Sequence, residues 1–181
     1  MNHRFMEELA VALARSGFAV LRFQFPYMEA KKGRPDRPVV ATATVAAAVQ
    51  ALKKKFPKLP LFAAGKSFGS RMSTTAAAEG LLAGVQGLIC FGFPLHTPGE
   101  PDVTRAQHLA EVSVPMLFLQ GTRDDLADLN LMRKVCAKLP LAKLHIVEGA
   151  DHGFDVLKRS GRTGIQVMEE LARESRKFAP V

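Results

Sequence analysis

A chain of 181 residues, 48% hydrophobic and 23% charged, is the size of one globular domain and too apolar for disorder. No apolar run reaches the roughly 18–20 residues of a membrane span, and Arg4, Glu7 and Glu8 break up the helix-periodic residues 1–16 where a signal peptide would stand, so the expected location is the cytoplasm. The net charge of +8 comes from residues 1–90, which hold 13 Lys and Arg against 5 Asp and Glu, whereas residues 91–181 hold 12 of each.

In chain order, Glu7 to Ala14 reads as a helix, with Phe5, Leu9 and Leu13 four apart and Gly17 just past the end. Phe18 to Phe25 reads as a strand stopped by Pro26, followed by a polar, basic loop to about Pro38. Val45, Val49, Leu52 and Phe56 mark one stripe of a second helix. Leu61–Gly65 is a short strand, Arg71–Glu79 a small-residue helix and Gly87–Gly92 a strand that carries Cys90. Pro94–Pro101 is a loop that can overlie a site. Met116–Gln120 is a strand, Leu126–Leu139 a helix with Cys136, and Lys143–Val147 a strand. Thr163–Phe178 closes the chain as a helix with Ile165, Met168, Leu171 and Phe178 on one side. Two cysteines within apolar elements read as buried thiols and support neither a disulfide framework nor a cysteine-based zinc site.

Five strands alternating with helices predict a three-layer α/β/α sandwich around a mostly parallel sheet, in one domain spanning 1–181. Fully apolar strands such as Met116–Leu119 suit a sheet covered on both faces.

In such a sheet, ligands bind beyond the carboxyl ends of the strands. Gly65-Lys66-Ser67-Phe68-Gly69 lies there, between a strand and a helix. This is the G-x-S-x-G pattern, whose sharp turn lifts the serine hydroxyl out at a helix head and aims the Phe68 N–H at a developing oxyanion. Gly65-Lys66-Ser67 also resembles the end of a phosphate-binding loop, but that motif needs a glycine at position 60, where Pro60 stands. A serine nucleophile needs a base, and the base needs an orienting acid. Gly121-Thr-Arg-Asp124-Asp125 follows one later strand, and Asp151-His152-Gly153-Phe154 follows another. Ser67, Asp124 and His152 therefore stand in the order Ser…Asp…His. His152 is the expected general base and Asp124 its orienter. Asp125 is the alternative acid, and either aspartate can instead cap the helix that follows. His145 alternates within a strand, and His3, His96 and His108 have no carboxylate or cysteine companions at ligand spacing, so neither a metal nor a cofactor is expected.

These residues resemble the α/β-hydrolase superfamily, in the small lidless branch near dienelactone hydrolase. The nearer likeness is to bacterial relatives of the testis-expressed and NSL-complex hydrolase-like proteins. It is carried by Val20–Glu29 with Pro35-Asp36-Arg37, Gly65–Met72, Gly121–Asp124 and Asp151–Phe154. The resemblance implies esterase-like activity. Ser67 stands where members nearest dienelactone hydrolase carry cysteine, which argues against dienelactone chemistry. Members also open with a strand ending in a His-Gly-rich turn that provides the second oxyanion N–H. Here Met1-Asn2-His3 begins just after that point, so the chain reads as one starting late, short of a strand between Phe18–Phe25 and Leu61–Gly65. Its loss leaves either a gap or a direct pairing of those two neighbours. Losing one oxyanion donor costs about 10²–10³ in turnover.

Lys31, Lys32, Arg34 and Arg37 fall on the side of the expected site, with Lys66 and Arg71 beside the nucleophile. They form either a positive rim for an anionic small-molecule substrate, bound by Lys66 and Arg71, or a solvated loop. Lys53, Lys54, Lys55 and Lys58 fall at the opposite end. Two basic clusters at opposite ends make no continuous track for nucleic acid, and one Tyr with no Trp offers few stacking platforms. The expectation is a serine hydrolase acting on a small ester or thioester, with no nucleic-acid or membrane partner and with a homodimer open to it. The alternative is a catalytically weak scaffold for protein interaction.

Overall fold

The structure is a computed structural model that describes residues 3–179. Met1 and Asn2, where the first helical period begins, lie outside the described residues. Helix α1 spans Arg4–Arg15 and buries Phe5, Leu9 and Leu13. It ends in paired bonds from Gly17 N–H to Ala14 O and from Phe18 N–H to Leu13 O, with Gly17 at φ +95°. That reverse-turn cap needs a left-handed residue at position 17, which glycine takes without strain. A short helix α2, Pro26–Glu29, precedes α3, Pro38–Lys55. The chain continues through β1 (Leu61–Lys66), α4 (Phe68–Ala78), β2 (Val85–Phe91), β3 (Met116–Arg123), α5 (Leu129–Ala137), β4 (Ala142–Asp151) and α6 (Gly164–Phe178).

All strand pairs are parallel, in the order β1-β2-β3-β4. Alternate residues of the central strands serve the two faces, as the two-residue period requires. Leu88, Cys90, Met116 and Phe118 pack with Ala41, Val45, Met72, Ala76 and Met132 from α3, α4 and α5. Ile89, Phe91, Leu117 and Leu119 pack with Phe5 and Leu9 of α1 and Val167 and Leu171 of α6. The result is the expected three-layer sandwich. Cys90 and Cys136 are both buried thiols, and burial pushes the pKa of Cys136 up to about 11.

Among the described residues the sheet has four strands where five are expected. Residues 18–25 adopt no regular secondary structure, and β1 pairs with β2 alone. Between β1 and this segment lie two cavities, of about 450 and 360 Å³, that share Leu13, Val20, Leu21, Phe23, Ala64 and Ser73 as walls. Between residues 18–25 and β1 the structure has a gap and no direct pairing. An apolar run makes a strand only when another strand supplies hydrogen bonds, and among the described residues no strand pairs with residues 18–25. Val20, Leu21 and Phe23 are left exposed along the groove.

Two helical stripes also differ from expectation. Phe56 lies past the end of α3 and is exposed. In α6 the buried stripe runs through Val167, Met168, Leu171, Ala172 and Ser175, which leaves Ile165 outside it and 71% exposed. The stripe centre is set by the four-residue step from 167 to 171. Thr163 and Gln166 form a reciprocal capping box at the start of that helix.

Candidate active site

Three residues emerge immediately after three parallel strands: Ser67 after β1, Asp124 after β3 and His152 after β4. Parallel strands end on the same edge of the sheet, so the three meet. His152 Nε2 lies 2.9 Å from Ser67 Oγ, and His152 Nδ1 lies 2.8 Å from Asp124 Oδ2. With Asp124 ionised, the imidazole donates from Nδ1 and accepts the Ser67 hydroxyl proton at Nε2.

The turn at Ser67 is sterically demanding. Ser67 has φ +52° and ψ −115°, a region that side-chain-bearing residues rarely occupy. Its N–H donates to Phe91 O at 3.0 Å, which ties the turn to the end of β2. A Cβ on Gly65 would overlap the Gly69 carbonyl carbon, whereas one on Gly69 would meet only the Phe25 ring at 3.9 Å. The close approach of strand and helix therefore depends on Gly65, with Gly69 contributing its backbone. Phe68 is the first residue of α4. Its N–H is one of the four at a helix start that no intrahelical carbonyl accepts, and it borders the site. Its ring packs edge-on against Phe25 and Tyr27, with centroids 5.2 and 6.1 Å away. Asp36 accepts the Tyr27 N–H at 2.9 Å and so pins the start of the basic loop beside the nucleophile.

Asp124 is buried and fully engaged. It accepts from the His152 ring, from Leu126 N–H at 2.9 Å and from the Gln120 amide at 2.5 Å. Gln120 also accepts the Phe93 N–H at 3.1 Å. Asp124 does not cap α5; Asp128 does, accepting from Leu131 N–H at 2.9 Å. Asp125 is exposed and stands outside the constellation. Gln120 is the site residue that motif reasoning passes over. A polar side chain closing the otherwise apolar run Met116–Leu119 is the signal that marks it. Gly121 lets β3 and β4 converge at this end, because a Cβ there would overlap Ala150 O. His152 itself sits on a tight turn in which Asp151 Oδ1 accepts Asp155 N–H at 2.9 Å, Asp151 O accepts Phe154 N–H at 3.0 Å, and Phe154 takes φ +65°.

A family described as an alpha/beta hydrolase domain matches residues 1–180. The chain belongs to the α/β-hydrolase family. Two solved structures similar to it are an alpha-beta serine hydrolase homologue from Coxiella burnetii and an α/β serine hydrolase without lid from Xanthomonas campestris. The first is 25% identical with a TM-score of 0.75, over 96% of this chain and 77% of that one. The second is 25% identical with a TM-score of 0.76, over 100% and 76%. A dienelactone hydrolase from Anabaena variabilis, at 19% identity, has the same fold, with a TM-score of 0.73 over 98% of this chain and 80% of that one. In this α/β-hydrolase domain no helix of the described residues is long and apolar enough to cross a membrane.

The basic residues divide. Lys31, Lys32, Arg34 and Arg37 are exposed to solvent. Lys66 is turned inward instead of joining a positive rim. Its ammonium donates to the His152 carbonyl and lies 5.6 and 5.4 Å from the ring centres of Phe5 and Phe154. Burial pulls its pKa down to about 8, against the opposing pull of Asp124 and Asp151. The Arg71 guanidinium lies 5.8 Å from the centre of the Phe68 ring. Burial, and then the nearby Arg105, lower its pKa. His96 is committed elsewhere, its Nδ1 to Thr97 O at 2.8 Å and its Nε2 to Asp128 N–H at 2.7 Å. His108 Nε2 pairs with Thr74 Oγ1 at 2.8 Å, and His145 with Glu170 at 2.7 Å.

Proposed function

We propose that the domain is a carboxylesterase-like serine hydrolase that cleaves a small ester or thioester through an acyl-enzyme on Ser67. The observation that carries this reading is the unbroken relay Ser67 Oγ–His152 Nε2, His152 Nδ1–Asp124, with both links within 2.9 Å. Ser67 Oγ attacks the substrate carbonyl while His152 Nε2 takes its proton. The Phe68 N–H donates to the oxyanion that forms. His152 returns the proton to the departing alkoxide or thiolate, which leaves as alcohol or thiol. Water then repeats the sequence, with His152 as base, and frees the acid and Ser67. Asp124 holds the imidazole tautomer and stabilises the imidazolium. The 360 Å³ cavity beside Ser67, walled by Met6, Leu21, Phe23 and Tyr27, offers room for an apolar acyl group. Arg71 is the residue proposed to meet an anionic substituent. The reaction as written uses no cofactor.

A second reading, a catalytically weak scaffold for protein interaction, draws support from the open groove along β1, since the Phe68 N–H is the only oxyanion donor assigned. Stopped-flow hydrolysis of p-nitrophenyl acetate separates the two. The hydrolase reading expects a burst of nitrophenolate equal to the enzyme concentration or steady turnover, with acetyl mass added to the peptide containing Ser67. Neither turnover nor added mass at millimolar ester would favour the scaffold.

A further inference from the structure

Lys66 is the most completely enclosed cation near the site, and the mechanism above gives it no task. It precedes the nucleophile on β1, yet its ammonium reaches across to the His152 backbone, which is 86 residues away in sequence. We propose that Lys66 is a positioning residue, whose ammonium tethers the His152 turn to the nucleophile strand and so holds the imidazole over Ser67.

The turn carrying His152 leaves the sheet at the end of β4, an edge strand. Strands β3 and β2 stand between β4 and β1, the strand that Ser67 follows. The Lys66–His152 carbonyl bond makes that crossing directly. It is a charge-assisted bond, about twice as strong as a neutral one. The ammonium lies beside a stacked pair of rings, 5.6 Å from the centre of Phe5 of α1 and 5.4 Å from that of Phe154 of the same turn, whose own centroids are 5.5 Å apart. Cation–π attraction adds most when the cation is desolvated, as this one is. The backbone makes room for the arrangement at Gly92, φ +61°, where a Cβ would stand 3.1 Å from Lys66 Nζ and 3.5 Å from both Asp124 Oδ2 and the His152 carbonyl. The charged groups acting on the ammonium are Asp124, after β3, and Asp151, at the end of β4. Both favour its protonated form. Asp124 therefore acts on the His152 turn twice, through the imidazole and through the tether.

This role rests on the serine-hydrolase reading only for its activity arm. The test uses the full chain with Lys66→Met, which keeps an unbranched side chain of similar length beside the rings and removes the charge. The tether account expects kcat on p-nitrophenyl acetate to fall about tenfold to a hundredfold, the scale of a misplacement near 1 Å, with KM within twofold. It also expects the low-field proton NMR signal of the His152–Asp124 bond to broaden or vanish in Lys66→Met while remaining in Ser67→Ala. In the wild type, which needs no variant to fold, the same signal should broaden as pH passes about 8 and Lys66 loses its charge. A folded Lys66→Met with kcat within twofold of wild type, or a wild-type signal unchanged to pH 9.5 or so, overturns the proposal. If the wild type has no turnover, the hydrolase reading fails by itself, and the NMR arm still decides the tether.

Discussion

Asp124 accepts from the His152 ring, the Leu126 backbone and the Gln120 amide, and each contact restrains a different motion. The Leu126 bond fixes the carboxylate to its own turn. The Gln120 bond fixes it to β3 through a fully buried amide. Gln120 in turn holds the Phe93 N–H, so one amide links the carboxylate to the chain leaving β2. Replacing Gln120 by Met, of similar size, strips a donor from Asp124 and orphans a buried N–H. Each such loss costs about 1–3 kcal/mol. Urea unfolding should show a destabilisation of that order. A Gln120→Met protein as stable as wild type would mean that water replaces the amide. Ser67, Asp124 and His152 are legible in the sequence because each follows an apolar strand-like run by a few residues in a recognisable local pattern; the structure extends those strands to Lys66, Arg123 and Asp151. Gln120 is legible only as an exception, and the direction of Lys66 is not legible at all, because the direction of a long side chain depends on what encloses it.

At the scale of elements, the two glycines of Gly65-Lys66-Ser67-Phe68-Gly69 are unequal although the motif writes them alike. Gly65→Ala forces β1 and α4 apart, because backbone atoms of Gly69 occupy the space. It should destabilise the domain by about 3 kcal/mol or more, as backbone overlaps in a packed core do. Gly69→Ala meets only an ordinary contact with Phe25 and should stay within about 1 kcal/mol, with helix propensity in its favour. Equal effects of the two substitutions in thermal unfolding would contradict this assignment. The same scale explains the element that the sequence alone misplaces. Phe18-Ala-Val-Leu-Arg-Phe-Gln-Phe25 has strand composition, but composition reports a preference, and a strand is a pairing. β2 and β3 lie between two partners, and β1 and β4 have one each. Residues 18–25 have none in the sheet, because the groove stands between them and β1. The helices needed no such information, since hydrogen bonds within a helix are local and Leu9, Leu13, Val45 and Leu171 mark their buried sides by spacing alone.

For the whole molecule, the proposed tether sets activity and stability in opposition through one desolvated charge. The folded-state pKa of Lys66 is lowered from 10.5 to about 8. The unfolded chain therefore binds more protons than the folded one between those two values, and stability rises with pH across that window. Below about pH 8 the full penalty of burying the ammonium applies, about 3 kcal/mol for a shift of this size. Turnover should run the other way and decline above about pH 8 as the tether loses its charge. Denaturant midpoints and kcat measured from pH 7 to 10 should thus diverge, and a parallel decline of both would mean that alkaline inactivation is simple unfolding. Lys66→Met should be at least as stable as wild type at pH 7.

The central claim is that Ser67 is a nucleophile activated by His152. Its most direct test is the rate of labelling by a fluorophosphonate, which reads the activated hydroxyl without any assumption about substrate. Wild type should label stoichiometrically at Ser67, Ser67→Ala should not label, and His152→Ala should label slower by at least about a thousandfold. A wild-type protein that resists the probe, or one labelled equally after Ser67→Ala, would contradict the account.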